Sequence, residues 1–202
     1  MYYDADQNHG LPHDPFKALV VPRPIGWIST RNKAGEVNLA PYSYFNALSD
    51  RPKLVFFSSS MQVKDSATFA QESGEFVANF VSESLAQQMN ATSVDAPRGM
   101  SEFAVAGLHE APCMRVNAPR VAEAYAALEC KVTQVLVPRT LDGSDAAALV
   151  VFGQVVGVHI DDSILTNGLV DVRKARPVSR LGYMDFGITA DSFSMLRPKW
   201  QK

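Results

Sequence analysis

The segment ALVVFGQVVGVHI (148–160) constrains this chain more than any other. It is β-branched and apolar at nearly every position, which predicts a strand covered on both faces. Gly153 and Gly157 interrupt it where another group must approach closely or the strand must bend. A partner strand stands upstream in ALECKVTQVLV (127–137). There Leu128, Cys130 and Val132 point one way and Glu129, Lys131 and Thr133 the other. The phase slips at Gln134–Val135, as a β-bulge makes it do. LVFFSSS (54–60) reads as a third strong strand that turns polar abruptly, and EFVANFV (75–81) as a shorter one. FKALVVPRPIGWIST (16–30) is also strand-like, with Pro22 and Pro24 confining its first half to an edge or an irregular entry.

Helical signals are few. KDSATFAQES (64–73) offers Asp65 or Ser66 as an N-cap, ahead of Phe69 and Ala70 on one side. SESLAQQMNATS (82–93) places Leu85 and Met89 four apart, and 94–112 reads as loop with one or two helical turns. No repeat or linker divides the chain, so residues 1–202 are expected to form one domain, with 1–15 a polar lead-in lacking the features of a secretory signal. The pattern predicts a mainly β fold, a barrel or sandwich with short helical decorations. It lacks the βαβ alternation and G-x-G-x-x-G of a Rossmann domain.

Charge and composition remove several function classes. The 202 residues carry a net charge of −2 and a pI near 6.1, so there is no basic field for nucleic acid or an anionic membrane. No apolar run approaches the ~20 residues a bilayer requires. Cys113 and Cys130 are the only cysteines and form no CxxC, which suggests a reducing, cytoplasmic setting. Cys130 reads as a buried small hydrophobe and Cys113 as a loop residue after Pro112. His9, His13, His109 and His159 stand apart, with neither H-x-x-x-H nor a carboxylate at ligand spacing, which argues against a metal site. His159 is expected to be a solvent-facing or hydrogen-bonded structural histidine. Without G-x-S-x-G, a hydrolase triad has no anchor.

Three segments remain that could carry chemistry. NLAPYSYFNALSDRP (38–52) holds Tyr42, Tyr44 and Phe45 on a stretch whose Asn38, Pro41, Ser43, Asn46 and Ser49 break strand and helix periods alike. Irregular backbone at 38–47 would leave N–H and C=O groups free for a ligand. GWIST (26–30) is a strand ending in hydroxyls. SSSMQVKDSATF (58–69) runs from a hydroxyl-rich strand end into a helix start, where unpaired N–H groups, a dipole, Ser66 and Lys64 suit a phosphate. Taken singly, the last segment reads better as a capped surface helix after a polar strand terminus. Together the three suit a flat, mostly apolar ligand with polar ring edges and a phosphate tail, and FMN fits that description.

PRPIGWIST, then VNLAPYSYFNALSDRPKLVFFSSS, then KDSATF closely resembles the flavin reductase-like proteins with an FMN-binding split barrel. The likeness is greatest to the branch with nitrilotriacetate monooxygenase component B and flavoredoxin-type proteins. It continues through GEFVANFVSESLAQQMNATS, PRVAEAYAALECKV, GQVVGVHIDDSIL and RPVSRLGYMDF. The resemblance implies an antiparallel, Greek-key-like split β-barrel with short flanking helices, usually a homodimer with flavin near the subunit interface. By position it places Ser29 and Thr30 along the flavin, and Pro41, Tyr42, Ser43, Tyr44 and Asn46 beside the isoalloxazine. Ser58, Ser59 and Ser60 match the ribityl-facing strand end, and Lys64, Asp65 and Ser66 the phosphate turn, where many relatives carry threonine instead of Ser66. Arg180 and Tyr183 from RLGY match a lid or partner-subunit contact. One departure stands out. Short flavin reductases often carry Gly-Asp-His before the strand corresponding to ALVVFGQV, near the nicotinamide site, whereas this chain has Ala146, Ala147 and Ala148.

The resemblance implies an FMN-binding oxidoreductase, an NAD(P)H-dependent flavin reductase, with NADH or NADPH as donor and a monooxygenase or redox protein as a possible partner. Hydride passes from nicotinamide to flavin in that chemistry, so no catalytic protein residue and no metal are expected. The alternatives are an electron-transfer flavoprotein, an FMN-dependent reductase of a small substrate or ferric chelate without a nicotinamide site, and a non-catalytic flavin-binding barrel.

Overall fold

The computed structural model describes residues 1–60, 64–97 and 99–200. Seven strands form one antiparallel sheet: β1 (Gly26–Arg31), β2 (Val37–Tyr42), β3 (Phe45–Asp50), β4 (Lys53–Ser60), β5 (Glu75–Asn79), β6 (Ala126–Leu136) and β7 (Ala148–Ile160). Their order is β2-β1-β5-β6-β7-β4-β3. The two edge strands are therefore consecutive in sequence, joined only by Ser43–Tyr44, and the sheet must curl to let the chain pass from one edge to the other. The Ser58 N–H donates to the Tyr44 carbonyl at 2.8 Å as it does so. Rings of Tyr42 on one edge and Phe57 on β4 lie 5.1 Å apart. A Cβ built on Gly26 would come within 2.5 Å of the Phe45 ring, so β1 and β3 meet only because position 26 has no side chain.

The interior is filled by Ile28, Val55, Phe57, Phe76, Ala78, Cys130 and Val151, together with Ala67 and Ala70 of helix α1 (Asp65–Ser73), which plugs one mouth of the curl. Phe57 and Phe76 pack edge to face at 5.2 Å. Phe76 uses space at Gly153, where an added Cβ would sit 2.5 Å from its ring. The β6–β7 register shifts at Phe152/Gly153, leaving Thr133 without an opposite number, so the bulge falls one residue before the expected slip.

On the outer face of β1 and β2, Trp27 and Leu39 pack with Leu85, Met89 of helix α2 (Ala86–Ala91) and Phe103 of helix α3 (Glu102–Ala106). The Trp27 indole N–H donates to Thr92 at 2.9 Å. On the outer face of β5 and β6, residues 113–121 run as an irregular strap whose N–H groups find side-chain acceptors. Glu129 accepts from Met114 (2.9 Å) and Arg115 (2.6 Å), Glu75 from Asn117 (2.6 Å) and Ala118 (3.2 Å), and Asn79 from Val121 (2.8 Å).

Three expectations fail here. Phe16–Leu19 is a single helical turn rather than strand: the Ala18 and Leu19 N–H groups donate to Pro15. Buried Arg23 then donates to the Lys17 and Val20 carbonyls at 2.5 Å and to Leu181 at 2.7 Å. Residues 38–47 are mostly regular strand, and their free backbone groups arise because β2 and β3 are edges, each paired on one side. Cover on both faces of β7 is also incomplete in a single chain, since Val158 and Ile160 are 52% and 46% exposed.

Candidate functional site

Two adjoining hollows lie along the β2 edge, sharing Pro41 and Ser93 in their walls. The larger, about 620 Å³, is bounded by Ile25, Pro41, Ser43, Met89 and the residues Arg180, Met184 and Phe186. The smaller, about 300 Å³, is bounded by Asn38, Tyr42, Ser59, Ser60, Glu102 and the start of α1 at Lys64–Ser66. Both volumes fall within the ordinary range of small-molecule sites.

The smaller hollow is polar and ends on an uncapped helix. The N-cap is Lys64, with extended backbone and no side-chain cap bond, and neither Asp65 nor Ser66 takes that role. Lys64 therefore gives the start of α1 no side-chain cap, and the positive end of the helix dipole borders this hollow, which favours an anion. Ser66 donates instead to Asn38 at 2.5 Å, Asn38 donates to Glu102 at 3.1 Å, and the Leu39 N–H donates to the other Glu102 oxygen at 3.0 Å. Burial pushes the Glu102 pKa up against those bonds. It also pushes up the Tyr42 phenol. Ser59, 4% exposed, has a hydroxyl oxygen with no hydrogen-bond partner among the described residues. Lys64 reaches Asp95 at 2.7 Å, a bond that raises its pKa.

The larger hollow is closed on one side by a hairpin of β8 (Val178–Arg180) and β9 (Phe186–Ile188). Arg180 stacks over the Phe186 ring at 4.4 Å and donates to the Met184 and Tyr183 carbonyls of its own turn. Tyr183 takes a left-handed conformation (φ 53°) in that turn. Gly182 lets the turn settle against Ala18, whose Cβ would lie 2.4 Å from any added Cβ.

Of the sequence-derived residues, Pro41, Tyr42, Ser43, Ser59, Ser60, Lys64, Asp65, Ser66 and Arg180 line the hollows. Ser29 does not: it lies further along β1, buried beneath residue 119, donating to Pro119 at 2.5 Å and accepting from Asn79 at 3.0 Å. Thr30 is fully buried, its hydroxyl without a partner among the described residues, and is not in either lining. Tyr44, Asn46, Ser58 and Tyr183 also lie outside the linings, the first two exposed beside the seam. Sequence reasoning missed Asn38, Glu102 and the α2 face carrying Gln87, Asn90 and Ser93. The polar spacing of three along QQMNATS, opposite Leu85 and Met89, was the available sign of that face. His159 is not isolated: its Nε2 lies 2.5 Å from Glu129 Oε1 across the β6–β7 pair, a pairing that sequence spacing cannot reveal.

A curled antiparallel sheet with a cleft along its edge is the architecture of a split barrel. Residues 18–179 match the family described as flavin reductase like domain. The chain belongs to that family. An uncharacterized protein of Halalkalibacterium halodurans is 39% identical over 183 residues, covering 89% of this chain and 87% of the relative. Nitrilotriacetate monooxygenase component B from Bacillus cereus superposes with a TM-score of 0.85 at 27% identity, covering 96% of this chain and 99% of its own. The 2-nitrobenzoate 2-nitroreductase of Pseudomonas fluorescens gives 0.79 at 28% identity, covering 93% and 90%. Solved split barrels described as flavin reductases or their FMN-binding domains share the fold.

Proposed function

We propose that this chain binds FMN in the two hollows and works as an NAD(P)H-dependent flavin oxidoreductase. The observation that carries the reading is the continuity of an apolar hollow with a polar one that ends on the uncapped start of α1. The residues present suit the cofactor. Ser59, a buried hydroxyl lacking a partner among the described residues, and Ser60 would meet the ribityl chain, and Lys64, Ser66 and the first-turn N–H groups would hold the phosphate. Ile25, Pro41 and Met89 would flank the ring system, and free backbone groups of the β2 edge would meet its polar rim. Bound there, FMN would supply the two-electron carrier that takes hydride from NADH or NADPH. The protein's part is to orient the ring, keep one side open beneath the β8–β9 hairpin, and exclude water from the other.

The working unit is proposed to be a homodimer in the cytoplasm, supported by the half-exposed Val158 and Ile160 and by two free thiols. The test is a visible spectrum of the purified protein with and without added FMN, followed by anaerobic NADH or NADPH. Bleaching of bound flavin by either nucleotide is expected. Failure to bind added FMN would overturn the proposal, and bound flavin that neither nucleotide reduces would leave an electron carrier fed by a protein partner.

A further inference from the structure

On the outer face of the sheet, beneath the 113–121 strap, Cys113, Glu129 and His159 converge so that one ligand atom from each lies within 4.8 Å of the others. This cluster is separated from the hollows: Gly157 and His159 lie near the Ile160 end of β7, whereas Ser59 and Ser60 of the smaller hollow pair with its Ala148 end. Glu129 is 1% exposed, and two strap N–H groups, from Met114 and Arg115, fix its carboxylate. Gly157, directly opposite in the ladder, leaves the room that carboxylate occupies, since an added Cβ would lie 3.0 Å from Glu129 Cδ. His159, two residues further along the same face, brings Nε2 to 2.5 Å from Glu129 Oε1.

We propose that Cys113, Glu129 and His159 form a zinc-type divalent metal site that fastens the strap to the barrel. A thiolate, an imidazole nitrogen and a carboxylate oxygen are the donor set that zinc favours, with water taking the fourth position. Tetrahedral zinc bonds of about 2.0–2.3 Å place neighbouring donor atoms about 3.5 Å apart, so the three groups need adjust by only about 1 Å. Binding replaces the Glu129–His159 hydrogen bond with two metal bonds, moves the His159 ring proton from Nε2 to Nδ1, and releases the Cys113 thiol proton to solvent. The Met114 and Arg115 N–H bonds remain to orient the carboxylate, as outer-sphere donors do in built metal sites. His159 and Cys113 are partly exposed, which gives the ion a path in.

The test uses the full chain without an affinity tag, stripped with a chelator and titrated with Co²⁺. One equivalent is expected to give a near-ultraviolet thiolate-to-cobalt band and strong visible bands of tetrahedral type, both displaced by Zn²⁺. Cys113→Ser should abolish the charge-transfer band, and His159→Gln should weaken Co²⁺ binding at least tenfold, with circular dichroism confirming that each variant is folded. In the wild-type protein Zn²⁺ should slow alkylation of Cys113, read by mass spectrometry, a measurement independent of any variant. Absence of the charge-transfer band, its survival in Cys113→Ser, or an alkylation rate unchanged by zinc would each overturn the assignment.

Discussion

Lys64 and Ser66 stand at the first turn of α1, yet each is engaged by a neighbour, Asp95 at 2.7 Å and Asn38 at 2.5 Å. A phosphate would draw Lys64 from an exposed ion pair of little worth into charge-assisted bonding. Replacing both by alanine removes two such bonds, about 1.5–3 kcal/mol each, so FMN affinity should fall by about 100-fold or more. Riboflavin, lacking the phosphate, should be nearly unaffected; a titration giving equal losses for the two ligands would refute the assignment. Glu102 makes a second test at this scale. Its folded pKa is raised above the ordinary 4.5 by burial. For a carboxylate the neutral form is then favoured on folding, so its contribution to stability is full below pH 4.5 and is lost as pH rises through the raised value. Above that value its charge also opposes a phosphate in the same hollow. Glu102→Gln, accommodated by rotation of the Asn38 amide, should flatten that decline in melting temperature and tighten FMN binding at pH 7.5. Equal FMN affinities for variant and wild type would separate Glu102 from the phosphate.

At the scale of elements, β6 and β7 owe their close approach to two glycines with different neighbours. An alanine at Gly153 would meet the Phe76 ring at 2.5 Å and Cys130 at 3.1 Å, whereas one at Gly157 meets Glu129 at 3.0–3.3 Å. Both neighbours are held in place, but the overlap with the Phe76 ring is deeper by about half an ångström. Gly153→Ala should therefore cost about 1–3 kcal/mol in urea unfolding, and Gly157→Ala less. A reversed order would place the tighter packing on the outer face. The strap 113–121 has a ladder only at Arg120–Val121, paired with Glu110–Ala111, and its hold on the sheet runs through Glu75, Asn79 and Glu129, which accept from its N–H groups, and through Ser29 and Arg31, which donate to its carbonyls.

For the molecule as a whole, the open question is what covers β7. Val158 and Ile160 are about half exposed at the end of a long strand, an arrangement a second copy would bury. The 22.1 kDa chain is expected to sediment at twice that mass at micromolar concentration. Val158→Asp with Ile160→Asp should return it to monomer without loss of fold. A wild-type monomer under the same conditions would remove the dimer from the proposal.

Periodicity alone located β4, β5, β6 and β7 nearly to the residue, because buried strands must alternate or be apolar on both faces and turns must carry Gly, Pro or polar residues. It also brought out the hydroxyl-rich strand end and the α1 start, since those residue types are contiguous in the chain. What it misread was local shape at 38–47, where Pro41 and Asn38 looked irregular but sit on edge strands that tolerate them. Ser29, placed along the flavin by the resemblance, donates to Pro119 and lies outside both linings, a tertiary contact that its position in the motif does not reveal. Only the curl of the sheet made consecutive strands into opposite edges, set Asn38 and Glu102 behind Ser66, and brought His159 to Glu129 and Cys113. Those contacts join residues tens of positions apart, and pairing at such separation depends on strand order and register, which a one-dimensional pattern does not contain.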